Sequence, residues 1–139
     1  MIIIQKTLLV VILLLGIQLG QLQAQRITDN LGRTLGYIDK GRIKNNLGFT
    51  IGYIEENRVK DRIGWTILYI NRTKIQNVTG TTIGTIDNKV IRNRQGQTIG
   101  RIDENRVKDN LGRTIGYFEN LTDVEVGVYF FFLKDIYKR

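Results

Sequence analysis

Residues 48–63 read GFTIGYIEENRVKDRI, and this stretch is the clearest copy of a sixteen-residue unit that runs through the chain without gap or insertion. Its fixed points are a Gly-x-Thr-Ile-Gly-Tyr-Ile box, a short acidic or Asn-containing turn, a basic strand, and an Asp/Asn-x-x-Gly turn into the next box. The opening glycines Gly32, Gly48, Gly64, Gly80, Gly96 and Gly112 are sixteen residues apart, and each is followed two places on by Thr. A second Gly occupies the centre of every box except one, where Leu68 stands. Self-similarity at a fixed period is the signature of a repeat architecture. A unit this short, rich in β-branched residues and Gly, fits strand–turn–strand better than a helix pair.

Each turn has its own chemistry. Asp or Asn at the first position and Gly at the fourth, as in Asn45–Gly48 and Asp61–Gly64, predicts a side-chain-capped type I turn with Gly taking the positive φ. The other turn ends at Gly41, Asn57 or Asn105, residues that tolerate the left-handed region, with Thr73 and Lys89 the weaker copies. Simple alternation places Ile51 and Tyr53 on one face and Thr50, Gly52 and Ile54 on the other. Both faces are partly apolar, so cover on both sides is expected, and the second Gly lets another backbone approach closely. One unit cannot bury its own apolar residues, so neighbours must stack. The expected fold class is all-β: a ring-like or closed assembly of about five to six β-hairpins from 16-residue repeats. A β-solenoid is the alternative. After Phe118 the register dissolves, and VEVGVYFFFL at 124–133 reads as a C-terminal apolar strand packing onto the assembly, since left exposed it would aggregate.

Composition removes whole reaction classes. The 139-residue chain has no Cys, His, Pro or Ser. Neither a Ser–His–Asp nor a Cys–His arrangement can be assembled, the usual zinc ligands are missing, and no disulfide can form. Residues 1–24 carry Lys6, an aliphatic run and a small residue at Ala24, which reads as a secretory signal peptide. The run is short against the ~20 residues of a spanning helix. The expected domains are therefore a leader at 1–24, one β-hairpin repeat domain at 25–133, and a polar tail at 134–139. The expected location is exported: periplasmic, cell-surface or secreted.

A net charge of +8 favours anionic partners: nucleic acid, acidic glycans or lipid headgroups. Along the sequence the acids are interspersed with the bases, which also suits an ordinary solvated surface. The candidate ligand contacts are Arg42, Lys44, Arg58, Lys60, Arg106 and Lys108, which recur on the basic strands, together with Trp65. In register the cations would form a ladder for a polyanion, an anionic glycan above all. The ordinary alternative is pairing with Asp39, Glu55, Asp87, Asp103 and Glu119 across the same turn. Tyr37, Tyr53, Tyr69 and Tyr117 could stack on sugar rings or bases, or simply pack between hairpins. Every carboxylate has copies in equivalent turns, so no singular catalytic pair stands out. No catalytic, cofactor or metal residue is assigned and no small-molecule cofactor is expected. The expected function is a non-enzymatic structural or protein-interaction module of the cell envelope, with polyanion or glycan binding as the alternative. The partner is an unknown protein or envelope component, without sequence-specific nucleic-acid binding and without a membrane span in the mature protein.

The repeated Thr-Ile-Gly-Tyr-Ile unit, the leader, and the run Tyr129-Phe130-Phe131-Phe132 together resemble the fivefold β-flower proteins, small exported proteins of Bacteroidetes-type bacteria. The resemblance covers roughly Arg26 to Leu133. It implies a ring of β-hairpins outside the cytoplasm and brings no catalytic residues with it. Leu68 in place of Gly, and Thr85 and Arg101 in place of Tyr, depart from a regular pattern.

Overall fold

The computed structural model of the chain describes residues 25–133. The expected leader at 1–24 and tail at 134–139 lie outside the described residues. Twelve short strands follow one another: β1 Arg26–Asp29, β2 Thr34–Asp39, β3 Arg42–Asn45, β4 Thr50–Glu55, β5 Arg58–Asp61, β6 Thr66–Asn71, β7 Lys74–Gln76, β8 Thr82–Asp87, β9 Val90–Asn93, β10 Thr98–Asp103, β11 Arg106–Asp109 and β12 Thr114–Phe118. All neighbours pair antiparallel, and β1 pairs with β12, so the sheet closes into a barrel. The assembly is a ring, not a solenoid.

The Asx turns form as their residues dictate. In the β7–β8 connection the Asn77 Oδ1 accepts the N–H groups of Thr79 at 3.1 Å and Thr81 at 3.0 Å. The Gly80 N–H donates to the Asn77 carbonyl at 3.0 Å, and Gly80 takes φ 83°. Asp29, Asn45, Asp61, Asn93 and Asp109 repeat the arrangement. Replacing Asn77 with Ala orphans both donors and is expected to cost about 1 kcal/mol, read from denaturant unfolding.

The two-residue hairpins differ from expectation in one respect. The left-handed residue sits one place earlier, at Lys40, Glu56, Arg72, Asn88 and Glu104; Gly41 and Lys89 join it, whereas Asn57 and Asn105 do not. Two-residue loops that match the strand twist need positive φ at their first residue. That demand overrides the weak preferences of Glu, Lys and Arg. Five strand pairs are tied by such turns. The sixth has no turn: β1 meets β12 with Ile27 opposite Phe118, just as Ile43 sits opposite Ile38 inside the first hairpin. Six strand pairs therefore make up the ring among the described residues.

A β-bulge recurs where each basic strand meets the following box, for example between Val59 and Lys60 and between Val107 and Lys108. The extra residue breaks simple alternation. Ile51, Ile67, Ile83, Ile99 and Ile115 consequently pack against the core instead of sharing an outer face with the Tyr positions. Ile27, Ile43, Val59, Ile75, Ile91 and Val107 from the odd strands are fully buried. The strands are covered on the inner face only.

The segment 124–133 corrects the expected terminal strand. Asp123–Gly127 is an α-helix (α1), and Val128–Phe132 continues it as a π-helical turn. Thr122 and Glu125 form a reciprocal capping box: the Glu125 N–H donates to Thr122 Oγ1 at 3.2 Å, and the Thr122 N–H donates to Glu125 Oε2 at 2.8 Å. The helix fills the barrel. Val126, Val128, Phe132 and Leu133 are buried in the core, and Gly127 lies against Ile86 of β8.

The second glycines explain how it fits. A Cβ built on Gly116 would stand 2.5 Å from the Phe130 ring, and one on Gly84 would stand 2.5 Å from the Phe132 ring. The same construction on Gly100 runs into Phe131, and on Gly36 it meets the Tyr129 hydroxyl at 3.1 Å. Residues 129, 130, 131 and 132 thus address four successive box strands round the ring: β2, β12, β10 and β8. A close backbone approach is present as well, the carbonyl of Lys108 lying 2.9 Å from the Gly100 position. At the third box Leu68 fills the inner face itself and is 2 % exposed.

Candidate functional site

Antiparallel order sends all the two-residue turns to one end of the barrel and all the Asx turns to the other. Between them runs an outer belt whose composition is set by strand register. Tyr37 lies between Arg26 of β1 and Lys44 of β3. Tyr53 lies between Arg42 and Lys60, and Tyr69 between Arg58 and Gln76. Thr85 takes the aromatic's place between Lys74 and Arg92, while Tyr117 is flanked by Arg106 and Thr28. The Arg58 guanidinium lies 5.9 Å from the centre of the Tyr69 ring, within cation–π range. Aromatic faces bordered by cations are thus presented repeatedly around the outside.

The candidate cations divide into two groups. Lys44, Lys60 and Lys108 reach back to Asp39, Glu55 and Asp103, at 3.4, 2.6 and 2.8 Å. Exposed pairs of this kind contribute little and are screened by salt. Arg42, Arg58 and Arg106 are exposed, and among the described residues no carboxylate sits within ion-pair distance of them. Trp65, the remaining candidate, is not brought to the belt at all. It stands at the tip of the β5–β6 Asx turn, 72 % exposed.

Most of the carboxylates stand at one end of the barrel, with cations among them. Asp39, Glu55, Asp87 and Asp103 close the outgoing strands at the hairpin end, and Glu56, Glu104 and Glu119 lie beyond them. Lys40, Arg72 and Lys89 stand in the same turns, and Arg42, Arg58 and Arg106 sit directly opposite Asp39, Glu55 and Asp103, so both signs are mixed there. The belt is cationic, and the Asx end beyond it adds Arg62 and Arg94, with Arg33 and Arg113 paired to Asp29 and Asp109 at 2.6 and 2.8 Å. The acids at the Asx end, Asp29, Asp61 and Asp109, have their carboxylates turned onto the turn's own N–H groups. A period of sixteen residues with two reversals per period places the acids unevenly along the axis.

Two of these aspartates and one belt partner have carboxyls held below the ordinary value of 3.8. For Asp109 the main cause is the Arg113 N–H donating to it, opposed by partial desolvation and aided by the Arg113 guanidinium at 2.8 Å. For Asp103 the main cause is the hydrogen bond from Lys108. A depressed folded-state pKa stabilises the fold above the unfolded value and loses that contribution as pH falls through the lower folded value. Melting temperature should therefore be flat near neutrality and fall below about pH 4. Asp109→Asn should leave the neutral melting point nearly unchanged, because Asn caps the same turn elsewhere, and should shallow the acid decline.

A second feature was not anticipated from the sequence. Leu31, Leu47, Phe49, Ile63, Trp65, Val78 and Leu111 are all strongly exposed, and all occupy Asx turns at one end of the barrel. Only the β9–β10 turn, with Gln95 and Gln97, lacks an apolar tip. The signal was available: Leu or Ile stands immediately before the turn glycine in four of six units, where a solvated turn would carry polar residues. At the opposite end an open cleft of about 700 Å3 is lined by Lys40, Glu55, Glu56, Arg58, Lys60 and Glu125, among others. Among the described residues no cluster of three or more potential ligands could hold a metal ion, and no helix is long and apolar enough to cross a membrane.

Comparison with known proteins gives one match. The sequence profile of a family described as "5-fold beta-flower protein" matches residues 18–134. No match was found among curated proteins or among solved structures.

Proposed function

The chain belongs to the 5-fold beta-flower family, and on that premise we propose that it is a non-enzymatic, exported interaction module of the cell envelope. The observation that carries this reading is the filled barrel. The lumen, where a closed barrel could take a ligand, is occupied by the chain's own Tyr129–Phe132 run packed onto the box glycines. Recognition is left to the outside, where cations recur on the belt from unit to unit. Absent Ser, Cys and His and carboxylates that recur at equivalent turns without a singular pair support a binding role over a catalytic one. Residues 1–24, read as a leader, support export. Strands of three to six residues are short against the ~9–11 a membrane-spanning strand needs, which supports a body that does not span. Covalent cross-linking of the protein in its native envelope, followed by isolation of the adducts, tests the reading. One discrete partner is expected, and a protein that remains uncross-linked and freely soluble would contradict it.

Register favours a second reading, binding of an anionic glycan along the belt. Cation–Tyr–cation rows match a sulfated or carboxylated sugar chain, with rings stacking on Tyr and anions meeting Arg. Retention on a heparin-like matrix should be strong at ~50 mM salt and largely lost by ~200 mM. Replacing Arg42, Arg58 and Arg106 together with Gln should abolish retention without changing the melting point. Passage of the native protein through the matrix at the lower salt would eliminate this reading.

A further inference from the structure

The apolar tips of the Asx end take no part in the fold, and neither the belt nor the cleft accounts for them. Burying large side chains is the usual fate of Phe, Trp, Leu and Ile, and a contiguous exposed set marks a contact surface. Here the set is confined to one end. Phe49 and Trp65 are 67 % and 72 % exposed, and Leu47 and Ile63 rise beside them at 74 % and 71 %. Each lies on a turn held rigid by its Asx cap and its glycine. These side chains are presented as fixed points, not as a mobile fringe.

From this arrangement we infer that the Asx end docks onto the surface of an anionic lipid bilayer. Three features choose that occupant. The turns are equivalent copies on a closed ring, so their tips fall at one axial level, and a ring of separate points meets a plane. Apolar side chains at such points enter the headgroup–acyl boundary, where Trp is favoured. The charge around them is complementary: Arg62 and Arg94 stand among the tips, the cationic belt lies just behind, and the carboxylates of this end, Asp29, Asp61 and Asp109, are turned onto the turns' own N–H groups. Attraction of this kind to an anionic surface acts within about a Debye length, and one or two strand residues at ~3.3 Å each separate the tips from the first belt cations. A second copy seated on the same face would bring two cationic ends together. The inference deepens the envelope reading by naming the contacting component, and it does not depend on the glycan reading.

Trp65 is the only Trp of the chain and reports directly on the contact. Residues 25–139, which contain the whole barrel and its plug, are mixed with vesicles of pure phosphatidylcholine or of an equimolar mixture with phosphatidylglycerol. Co-sedimentation with the mixed vesicles is expected, with a blue shift of Trp65 emission and quenching by bromine-labelled acyl chains. Pure phosphatidylcholine should bind more weakly, and raising salt should weaken only the mixed-vesicle binding. Leu47→Ser combined with Phe49→Ser, both on exposed tips, should lower partitioning at least roughly tenfold while leaving the melting point unchanged. An unchanged Trp65 spectrum with both vesicles overturns the inference. So does equal binding by the Ser variant, which would place the contact on the belt alone. A blue shift that grows with protein concentration in the absence of lipid also overturns it, and would identify a second copy as the occupant. Failure of any of these leaves a discrete cross-linked protein partner in the native envelope as the separate test of the broader reading.

Discussion

A chain ended at Thr122 is expected to lose cooperative unfolding altogether. The removed residues include Val126, Val128, Phe132 and Leu133, all buried in the core, and the rings that lie against Gly84, Gly100 and Gly116. Burial of each large apolar side chain contributes about 1.5–3 kcal/mol. Together these four approach the whole stability of a typical small domain, about 5–15 kcal/mol. What remains is a ring whose inner wall is glycine at its waist and faces an empty lumen. Strand content should persist in part, with bound hydrophobic dye and no sharp thermal transition, the marks of lost specific packing. The milder Phe132→Ala should keep the fold at a cost of about 3–5 kcal/mol. If the shortened chain melted sharply at the temperature of the full one, the barrel would be self-sufficient and the segment merely a lodger.

The second large effect is expected at the box glycine. Gly100→Val puts a branched side chain where the Phe131 Cε1 is 2.6 Å and the Lys108 carbonyl 2.9 Å from the first added carbon. Neither neighbour can give freely, since one is backbone and the other a ring wedged in the lumen. Overpacking of this kind costs typically about 1–3 kcal/mol and sometimes more. Gly100→Ala combined with Phe131→Leu should recover part of the loss of Gly100→Ala alone, with a coupling of about 0.5–3 kcal/mol. The third box supplies the opposite case. Leu68 already fills its own inner face, so Leu68→Gly should open a cavity and destabilise by about 2–5 kcal/mol. A Gly that must not be enlarged and a Leu that must not be reduced, at equivalent places in one repeat, would be hard to explain without the plug. Additive behaviour in the double variant would show that Phe131 is not what confines Gly100.

The parts of this architecture legible in the sequence are those enforced locally. The Asx turns could be read because one side chain and one glycine determine them within five residues. Stacking of the hairpins followed from apolar residues that no single hairpin could hide, which left ring and solenoid both open. The plug was misread because Val124–Leu133 is β-branched and aromatic, so composition argued for a strand. Packing inside the ring lets residues 126–133 be apolar all round, which removes the periodicity that would reveal a helix. One local signal was present, the Thr122-x-x-Glu125 capping box ahead of an apolar run, which is the signature of a helix start. The belt was partly legible, because its cations recur. The gathering of most acids at one end was not, because position along the barrel axis appears only once the chain reverses twice per unit. The apolar tips went unread because turn residues before Gly draw attention to backbone geometry and not to what the side chain displays.

The plug has one more consequence, for how many copies of the unit the gene can carry. Tandem repeats readily gain or lose a whole unit, and nothing in the hairpins themselves forbids it, since every copy would pair with its neighbours as before. Barrel diameter, however, grows with strand number, and a unit adds two strands. Four consecutive side chains of fixed length reach four box strands of this ring; in a wider ring they would fall short, and in a narrower one they would collide. The terminal helix therefore acts as a gauge, admitting chains with the matching number of units and leaving the rest without a core.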